Sequence, residues 1–322
     1  MVRRRPAGDP ASALGVGVGD DDPVTTNVVV FGSCNMDLVA YVPVAPKRGE
    51  TVTGREFRTV PGGKGANQAI AAAKAGADVR MIGAVGADEF GAEIRRVMQD
   101  STVDVQGLRT VPGRSGTAHI VVDDAGDNSI IVVPAANGTV DALADGDEEL
   151  IAGSDSLLLQ LEVPQPGVAA AAAAGKRHGV RVVLTPAPAV PLPEELLRDV
   201  DLLVPNEHEA AVLTGHDDPE RALAALLELV PEVVITLGAR GCTYGNRDGV
   251  RHDVPAFSVP AVDTTAAGDT FVGVLTTALG EGGEVPNALR EAAAGSALSV
   301  QRNGASSAMP TRDEIADFVA RQ

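Results

Sequence analysis

The chain has 322 residues, of which 44% are hydrophobic, and this apolar content supports a sizeable core and excludes a body that is disordered throughout. Its formal net charge of −18 argues against nucleic acid as the main partner, because an acidic surface repels a polyanion. The charge does not exclude a small anionic ligand that binds in a local positive pocket. No apolar run approaches the roughly 18 residues of a membrane span. The spacing of Cys34 and Cys242 fits neither a metal site nor a disulfide framework, so we expect a cytoplasmic protein with reduced thiols.

Residues 1–26 are rich in Gly, Pro, Asp and Ala without periodicity, which predicts a disordered N-terminal extension. Beyond them, short apolar runs alternate with stretches of helical period. We predict strands at 27–33, 79–84, 156–161, 180–184, 202–205 and 233–237, and helices at 65–75, 90–99, 166–178, 207–213, 220–229, 268–279 and 287–301. This alternation predicts an α/β domain over 27–322 with three layers, helices covering both faces of a central, mostly parallel sheet.

Two stretches, 38–60 and 115–134, depart from that pattern, since they alternate apolar and polar residues without a helical period. The second contains the turn sequence Asp124–Asn128 between two β-branched runs, which is typical of a hairpin. We therefore expect a small β-sheet that stands off the main sheet as a lid or as an oligomerisation surface.

A helix start at 262–271 carries the most informative chemistry. Small residues there leave the amides of Ala266, Ala267 and Gly268 without intrahelical partners, which predicts an anion site at the positive end of the helix dipole. Asp269 follows directly, and it either stabilises the helix start or acts as a base that takes a proton from a hydroxyl while the amides hold a phosphoryl group.

Other polar or Gly-rich groups follow the carboxyl ends of predicted strands or open helices, the edge where open α/β sheets bind ligands. At 61–68 glycines lead into a helix without forming a P-loop, and Lys64 and Asn67 there offer donors to hydroxyls. Each group alone also fits a turn or a helix cap, but their convergence predicts a ligand crevice. The remaining groups are Asn35 with Asp37, Glu162, Asn206 to Glu209, and Thr236 to Gly241.

The runs GGKGANQ at 62–68 and DTTAAGDTF at 263–271 are long and specific, and shorter matches lie at 32–37, 160–162, 186–189 and 205–209. On these motifs the chain resembles, over about 27–320, the carbohydrate kinase family that includes ribokinases, adenosine kinase and fructokinases. The resemblance implies the ribokinase-like fold and the ATP-dependent phosphorylation of D-ribose at its 5-hydroxyl, giving D-ribose 5-phosphate and ADP. It also implies that the small β-sheet is a lid that pairs two subunits in a homodimer.

Site roles follow from the same resemblance, position by position. Asp269 is the implied general base and Ala266, Ala267 and Gly268 the anion hole. The implied sugar-binding residues are Asn35, Asp37, Gly63, Lys64, Asn67 and Glu162, together with Asp269. The implied nucleotide-binding residues are Asn206, Thr236, Leu237, Gly238, Ala239, Arg240, Gly241, Gly268, Asp269 and Ala293.

Two metal ions are implied as well: Mg²⁺, organised by Glu209 through water, and a monovalent cation such as K⁺ beside the anion hole. The positions of the monovalent site, several acting through backbone oxygen, are Asp263, Thr265, Ser299, Arg302, Gly304 and Ala308. Ala308 stands where the family often has Ser, so we expect weaker potassium dependence. Ala293 stands where a larger side chain can lie against adenine, which affects the expected nucleotide affinity.

Several alternatives remain open at this point. Another substrate of the same family (deoxyribose, fructose or adenosine) would use the same motifs. A sugar-binding regulator that has lost catalysis is disfavoured because Asp269 and the anion-hole sequence are present. A dinucleotide-dependent oxidoreductase is disfavoured because no Gly-x-Gly-x-x-Gly follows the first strand.

Overall fold

The computed structural model describes residues 25–322. Its strands, in chain order, are β1 (Asn27–Phe31), β2 (Asn35–Tyr41), β3 (Glu56–Gly62), β4 (Asp78–Gly86), β5 (Leu108–Val111), β6 (Gly116–Val122), β7 (Asn128–Val133), β8 (Ser156–Leu159), β9 (Arg181–Leu184), β10 (Leu202–Leu203), β11 (Glu232–Thr236), β12 (Cys242–Asn246) and β13 (Arg251–Val254). Its helices are α1 (Lys64–Lys74), α2 (Glu89–Asp100), α3 (Asp147–Ala152), α4 (Gln165–His178), α5 (Glu194–Arg198), α6 (Glu207–Thr214), α7 (Pro219–Leu227), α8 (Ala267–Gly280), α9 (Val285–Ser299) and α10 (Arg312–Ala320).

The large sheet has the order β13-β12-β11-β10-β9-β8-β1-β4-β5. Its strands pair in parallel from β5 to β11, and only β12 and β13 at one edge run antiparallel. Parallel strands that are covered on both faces are expected to be apolar throughout, and β1 and β8 are buried along almost their whole length. The predicted central, mostly parallel sheet is confirmed.

Two apolar cores lie on opposite faces of this sheet. One contains side chains of α1, α2, α8, α9 and α10, and the other contains side chains of α3, α4, α5, α6 and α7. Alternate residues of one strand serve the two cores, as Val28 and Val30 enter the first while Val29 and Phe31 enter the second. The three-layer arrangement predicted from the sequence is therefore present.

A second, four-stranded sheet has the order β3-β2-β6-β7. The antiparallel pairs β2–β3 and β6–β7 fall in the two stretches that break the helical pattern, and β2 and β6 join them in parallel. The strand β7 lies at the edge, and each of its residues is exposed. We refer to these four strands as the small sheet.

Several elements were not predicted from the sequence: β5, β12, β13, α3, α5 and α10. Most are short, and edge strands such as β13, with the sequence RHDV, carry polar residues because they contact the core weakly. The expected extension at 1–26 lies outside the described residues up to residue 24, whereas Thr26 is buried and its carbonyl accepts the amide of Asp78 at 2.9 Å. No helix within residues 25–322 is long and apolar enough to cross a bilayer.

Candidate active site

Five neighbouring strands of the large sheet end at one edge, and most of the predicted polar groups follow them. Ser33 and Asn35 come after β1, Glu162 after β8, and Asn206 after β10. Because β11, β10, β9, β8 and β1 are consecutive and parallel, their carboxyl ends bring these groups together. The convergence that the sequence predicts is therefore observed.

The carboxylate of Glu162 joins three of these segments. Its Oε2 accepts hydrogen bonds from the Ser33 hydroxyl at 2.6 Å and the Lys64 amide at 3.0 Å, with Asn35 Nδ2 at 3.5 Å. Ser33 Oγ in turn accepts the Gly65 amide at 3.3 Å. Glu162 thus ties the turn after β1 to the start of α1. The role of Ser33 was missed from the sequence, where Ser after a strand signals only a turn.

Asn137, a residue that the sequence analysis did not single out, fixes the turn that carries Asn35. Its side chain accepts the Cys34 amide at 2.9 Å and donates to the Cys34 carbonyl at 3.0 Å and to Asn35 Oδ1 at 2.7 Å. Asn137 is buried, and its three bonds leave Asn35 with a defined orientation. Its position just after the hairpin, in Ala-Ala-Asn-Gly, is the one signal that the sequence offers.

The glycines before α1 are required by close approach. Gly63 has φ +91°, and a Cβ there would lie 2.7 Å from the Asn35 amide nitrogen. At Gly62 a Cβ would lie 2.4 Å from an Asp37 carboxylate oxygen. Burial raises the pKa of Asp37 to about 7, with help from the charges of Glu162 and Asp269. Asp37 therefore titrates near neutral pH.

The start of α8 has the open geometry that the sequence predicts. Ala266, the residue before the helix, has a left-handed conformation with φ 58°, which is uncommon for a residue with a Cβ. Within residues 25–322, the amides of Ala266 and Gly268 have no hydrogen-bond acceptor, whereas the Ala267 amide donates to the Thr264 carbonyl at 3.2 Å. Two of the three expected anion-hole amides are thus unpaired, and an anion would have to compete for the third.

Asp269 lies in the first turn of α8 and is only 8% exposed. Its Oδ2 accepts from Asn67 Nδ2 at 3.2 Å, and its Oδ1 accepts from Gln68 Nε2 at 3.1 Å. Burial raises the pKa of Asp269, while Lys64 and these two amides oppose the shift. Asp269 reciprocally raises the pKa of Lys64 against the effect of burial. The site therefore pairs a buried carboxylate with a nearby ammonium.

Asn67 retains an unused acceptor at this point. Its Oδ1 is buried and has no hydrogen-bond partner among the described residues. Such a group costs free energy unless something satisfies it. A ligand hydroxyl that donated to Asn67 Oδ1 would remove that cost.

Two clefts meet at the start of α8. A polar cleft of about 240 Å³ contains Lys64, Asn206, Glu209 and Asp269, and an apolar cleft of about 300 Å³ extends towards α9. Thr236, Thr264, Ala267 and Gly268 line both. The helix start and its amides thus form the common wall. Asn35, Asp37, Gly63, Asn67 and Glu162 lie beside the polar cleft, linked to it through Lys64 and Asp269.

The turn after β11 contributes only part of its predicted set to the apolar cleft. Thr236, Gly238, Ala239 and Gly241 line it, with Ala293 on the opposite wall. Leu237 packs into one of the two apolar cores instead, and the Arg240 side chain is exposed and forms an ion pair with Glu207. The sequence could not separate these, because the side to which each residue of a short turn points depends on the backbone conformation of the folded chain.

Asn206 and Glu209 form a capping box at the start of α6. Asn206 Oδ1 accepts the Glu209 amide at 2.7 Å, and Glu209 Oε2 accepts the Asn206 amide at 2.8 Å. Burial raises the pKa of Glu209. The ordinary helix-cap interpretation is thus correct for the geometry, and the same two side chains also line the polar cleft.

The positions expected for a monovalent cation lie in one loop system behind the anion hole. The Asp263 carboxylate accepts the amides of Thr265 and Gly304, each at 2.9 Å. Burial opposes ionisation of Asp263, but these hydrogen bonds prevail and lower its pKa. Ser299 and Arg302 are joined by a backbone hydrogen bond of 3.1 Å. Ala308 is buried and offers only backbone oxygen. No cluster of three or more His, Cys, Asp or Glu able to hold a metal exists in residues 25–322.

Chemically, the arrangement places a buried carboxylate, a lysine and free helix amides around one point between a polar and an apolar cleft. Such a set can take a proton from a hydroxyl while amides and an ammonium hold negative charge on a transferring group. Phosphoryl transfer needs this combination of positioning and charge stabilisation more than covalent chemistry.

Comparisons with known proteins agree with this geometry. The model of the pfkB family carbohydrate kinases matches residues 25–312. Ribokinase from Haemophilus influenzae is 42% identical over 300 residues, covering 91% of this chain and 98% of the relative. Deoxyribokinase from Salmonella typhimurium is 35% identical over 303 residues, covering 91% and 99%. The structure of Arabidopsis thaliana ribokinase complexed with ribose and ATP superposes with a TM-score of 0.87 at 33% identity, covering 92% of this chain and 99% of that one. The chain therefore belongs to the pfkB family of carbohydrate kinases.

Proposed function

We propose that this protein is a ribokinase, which transfers the γ-phosphoryl group of ATP to the 5-hydroxyl of D-ribose. In the proposed step Asp269 takes the hydroxyl proton, the sugar oxygen forms a bond to the γ-phosphorus, and the bond from that phosphorus to the bridging oxygen of ADP breaks. The products are D-ribose 5-phosphate and ADP. The observation that carries the proposal is the position of Asp269, buried at an amide-lined helix start between the two clefts.

For the sugar, we propose binding by Asn35, Asp37, Gly63, Lys64, Asn67 and Glu162, with its 5-hydroxyl at Asp269. Carboxylates accept from hydroxyls, and amide groups both donate and accept. The unsatisfied Asn67 Oδ1 supports this assignment, since a sugar hydroxyl can donate to it while Asn67 Nδ2 continues to hold Asp269.

For the nucleotide, we propose that the base lies in the apolar cleft between the turn after β11 and Ala293, with the phosphates at Ala266, Ala267, Gly268 and Asn206. Gly268 has no neighbouring atom within 4 Å of the place where a Cβ would lie, which leaves room for a phosphate near its amide. Of the turn residues, we retain Thr236, Gly238, Ala239 and Gly241 as side-chain or backbone contacts, and we assign Leu237 and Arg240 backbone roles only.

The residues present suit the two implied metal ions. Glu209 supplies one carboxylate in the polar cleft, and Mg²⁺ in kinases is typically held by one or two carboxylates together with water and substrate phosphates. The loop around Asp263 offers its carboxylate and backbone carbonyls of Thr265, Ser299, Arg302, Gly304 and Ala308, an oxygen-only set that suits K⁺. When bound, these ions supply positive charge next to the phosphates. The missing side-chain oxygen at Ala308 predicts weaker potassium activation.

A homodimer formed through the small sheet is also proposed. The edge strand β7 exposes four apolar side chains in a row, Ile130 to Val133, and an unpaired apolar edge tends to be covered by another chain. We place the protein in the cytoplasm, in line with its two free, buried cysteines.

A coupled assay of ADP release tests the function. Purified protein is given ATP and Mg²⁺ with D-ribose, 2-deoxyribose, fructose or adenosine, each with and without K⁺. We expect the highest kcat/KM with D-ribose. Because one relative is a deoxyribokinase, a higher kcat/KM with 2-deoxyribose would assign that substrate instead, and a preference for adenosine would refute the sugar assignment.

A further inference from the structure

Next to Asp269, two glutamines are completely buried. Gln68 lies in α1 directly after Asn67, and Gln160 follows β8; both are 0% exposed. Gln160 Nε2 donates to Gln68 Oε1 at 2.7 Å, and Gln68 Nε2 donates to Asp269 Oδ1 at 3.1 Å and to the Thr185 hydroxyl at 3.3 Å. The three side chains therefore form a continuous hydrogen-bonded row that ends on the carboxylate.

The row has a direction, and the charge of Asp269 sets it. An amide can present either its oxygen or its NH₂ group, but an oxygen facing a carboxylate would be repelled. Gln68 must therefore donate to Asp269, which leaves Gln68 Oε1 to face Gln160. Gln160 must then donate in turn, because two facing amide oxygens would also repel each other. Its own Oε1 is left buried without a partner among the described residues.

The unpaired oxygen of Gln160 destabilises the folded protein, and a pair of side chains with a purely structural role at positions 68 and 160 would not need it. A buried acceptor without a partner destabilises the folded protein, and two apolar residues of the same shape would avoid this cost. The surroundings also accommodate Gln160 specifically, since a Cβ on Gly32 would lie 2.0 Å from Gln160 Oε1. An arrangement that costs stability next to a reactive group is typical of a functional site.

Asp269 needs such support because of its neighbours. Lys64 is the cation that favours its ionised form, whereas the acidic side chains of Asp37, Glu162 and Glu209 lie around the same point. Asn67 holds Oδ2 from the cleft side and is itself a proposed sugar ligand. Gln68 holds Oδ1 from the protein interior, where a substrate cannot displace it. The two amides together fix the plane of the carboxylate.

We propose that Gln68, oriented by Gln160, is a positioning residue that holds the Asp269 carboxylate in the orientation needed to accept the substrate proton. This role rests on the proposed function, because it presumes that Asp269 is the base. It assigns to Gln68 an effect on turnover with little effect on sugar binding, since both glutamines are fully buried and present no surface to a bound sugar.

The test uses Gln68→Leu, Gln160→Leu and the double variant, with D-ribose and ATP. We expect Gln68→Leu to lower kcat by about 10- to 100-fold, the scale of a misplaced catalytic group, with the KM for ribose changed less than about threefold. The acidic limb of the kcat–pH profile should move to higher pH, because the carboxylate loses a donor. Gln160→Leu should lower kcat less, and the double variant should match Gln68→Leu, since Gln160 acts only through Gln68.

Thr276→Val is the matched control, because Thr276 Oγ1 is another buried, unpartnered polar atom and lies in the same helix as Asp269; its kcat should be unchanged. Should Gln68→Leu fail to fold, Gln68→Met and Gln160→Leu carry the same test. The proposal is overturned if the folded variants keep wild-type kcat and pH profile, or if the losses in kcat of the single variants simply add. A wild-type enzyme that prefers another sugar would refute the substrate assignment instead, and the variants would then be compared on that sugar.

Discussion

At the scale of single residues, Asp269 is the side chain on which the proposed chemistry depends. Replacing it by Asn keeps its size and its place in α8 but removes the basic oxygen. We expect Asp269→Asn to lower kcat by at least about 10²-fold, the usual contribution of a general base, while ribose binding measured by calorimetry changes little. Because burial raises the pKa of Asp269, the wild-type kcat should fall with decreasing pH at a midpoint above that of an ordinary aspartate. Turnover at the wild-type rate in Asp269→Asn would show that the base lies elsewhere.

Asp37 carries a second prediction at this scale, on stability. Its folded-state pKa of about 7 lies above the ordinary value of 3.8, so the folded state binds a proton that the unfolded state has lost between these values. The free energy of unfolding should therefore decrease as the pH rises through this window, and the full cost applies above pH 7. Asp37→Asn removes the charge, so the variant should have a higher Tm than the wild type, and this difference should be larger at pH 8 than at pH 5. In free energy of unfolding, the extra stabilisation at pH 8 corresponds to about 1–3 kcal/mol.

Thermal melts followed by circular dichroism at the two pH values measure this difference. Asp317→Asn is the control, because the Asp317 side chain is 77% exposed and its replacement should give the same small change at both pH values. An Asp37→Asn gain that is equal at pH 5 and pH 8 would contradict the raised pKa. The same variant should raise the KM for ribose, if Asp37 holds a sugar hydroxyl as proposed.

At the scale of elements, the edge strand β7 presents Ile130, Ile131, Val132 and Val133 to solvent. If this edge forms the proposed dimer, a charge in its centre should separate the subunits, because an unpaired charge cannot be buried without a large cost. We expect Ile131→Lys to convert a dimer into a monomer in light scattering coupled to gel filtration. The Tm of the monomeric variant should be close to that of the wild type at a concentration low enough for its dimer to dissociate. The reason is that the Ile131 side chain is 68% exposed within one chain, so its replacement removes few contacts inside the subunit.

Val250→Lys provides the control for this experiment. Val250 is also an exposed apolar residue, but it lies in the turn between β12 and β13 at the edge of the large sheet. A dimer that persists in Ile131→Lys, or one that is lost in both variants, would argue against an interface at β7.

The elements also show which parts of the site the sequence can predict. Glycines before α1 and small residues before α8 have local causes, a positive φ or a close backbone approach, so the motifs that contain them predict the helix starts directly. Asn137 and Gln160 are different: each acts on a partner about a hundred residues away, Asn137 on Asn35 and Gln160 on Gln68. Gln160 lies in the short match at 160–162 and Asn137 follows the hairpin, but the partner of each amide is defined only by the folded chain, so the role of both was missed.

At the scale of the whole molecule, the net charge of −18 is at odds with the binding of an anionic nucleotide. The polar cleft does not reverse it, because Lys64 faces the acidic side chains of Asp269, Glu162, Glu209 and Asp37. Positive potential for phosphate is therefore local, from the amides at the start of α8, from Lys64 and from the proposed cations. The protein as a whole repels the nucleotide over distances longer than the cleft.

Long-range repulsion of this kind has a measurable consequence for ATP and none for ribose, which is neutral. Salt screens charges over about 10 Å at 0.1 M ionic strength. Raising the concentration of tetramethylammonium chloride from 20 to 200 mM should therefore increase kcat/KM for MgATP by about two- to fivefold. This is the opposite of the decrease that salt causes when enzyme and substrate attract each other. The kcat/KM for ribose at saturating ATP should stay constant. Tetramethylammonium is chosen because it is too large to replace K⁺ at the site proposed around Asp263. A parallel series in KCl then reports any activation by potassium separately. A fall in kcat/KM for MgATP with tetramethylammonium chloride would mean that the positive charge near the clefts outweighs the acidic surface, and that the nucleotide is attracted from a distance after all.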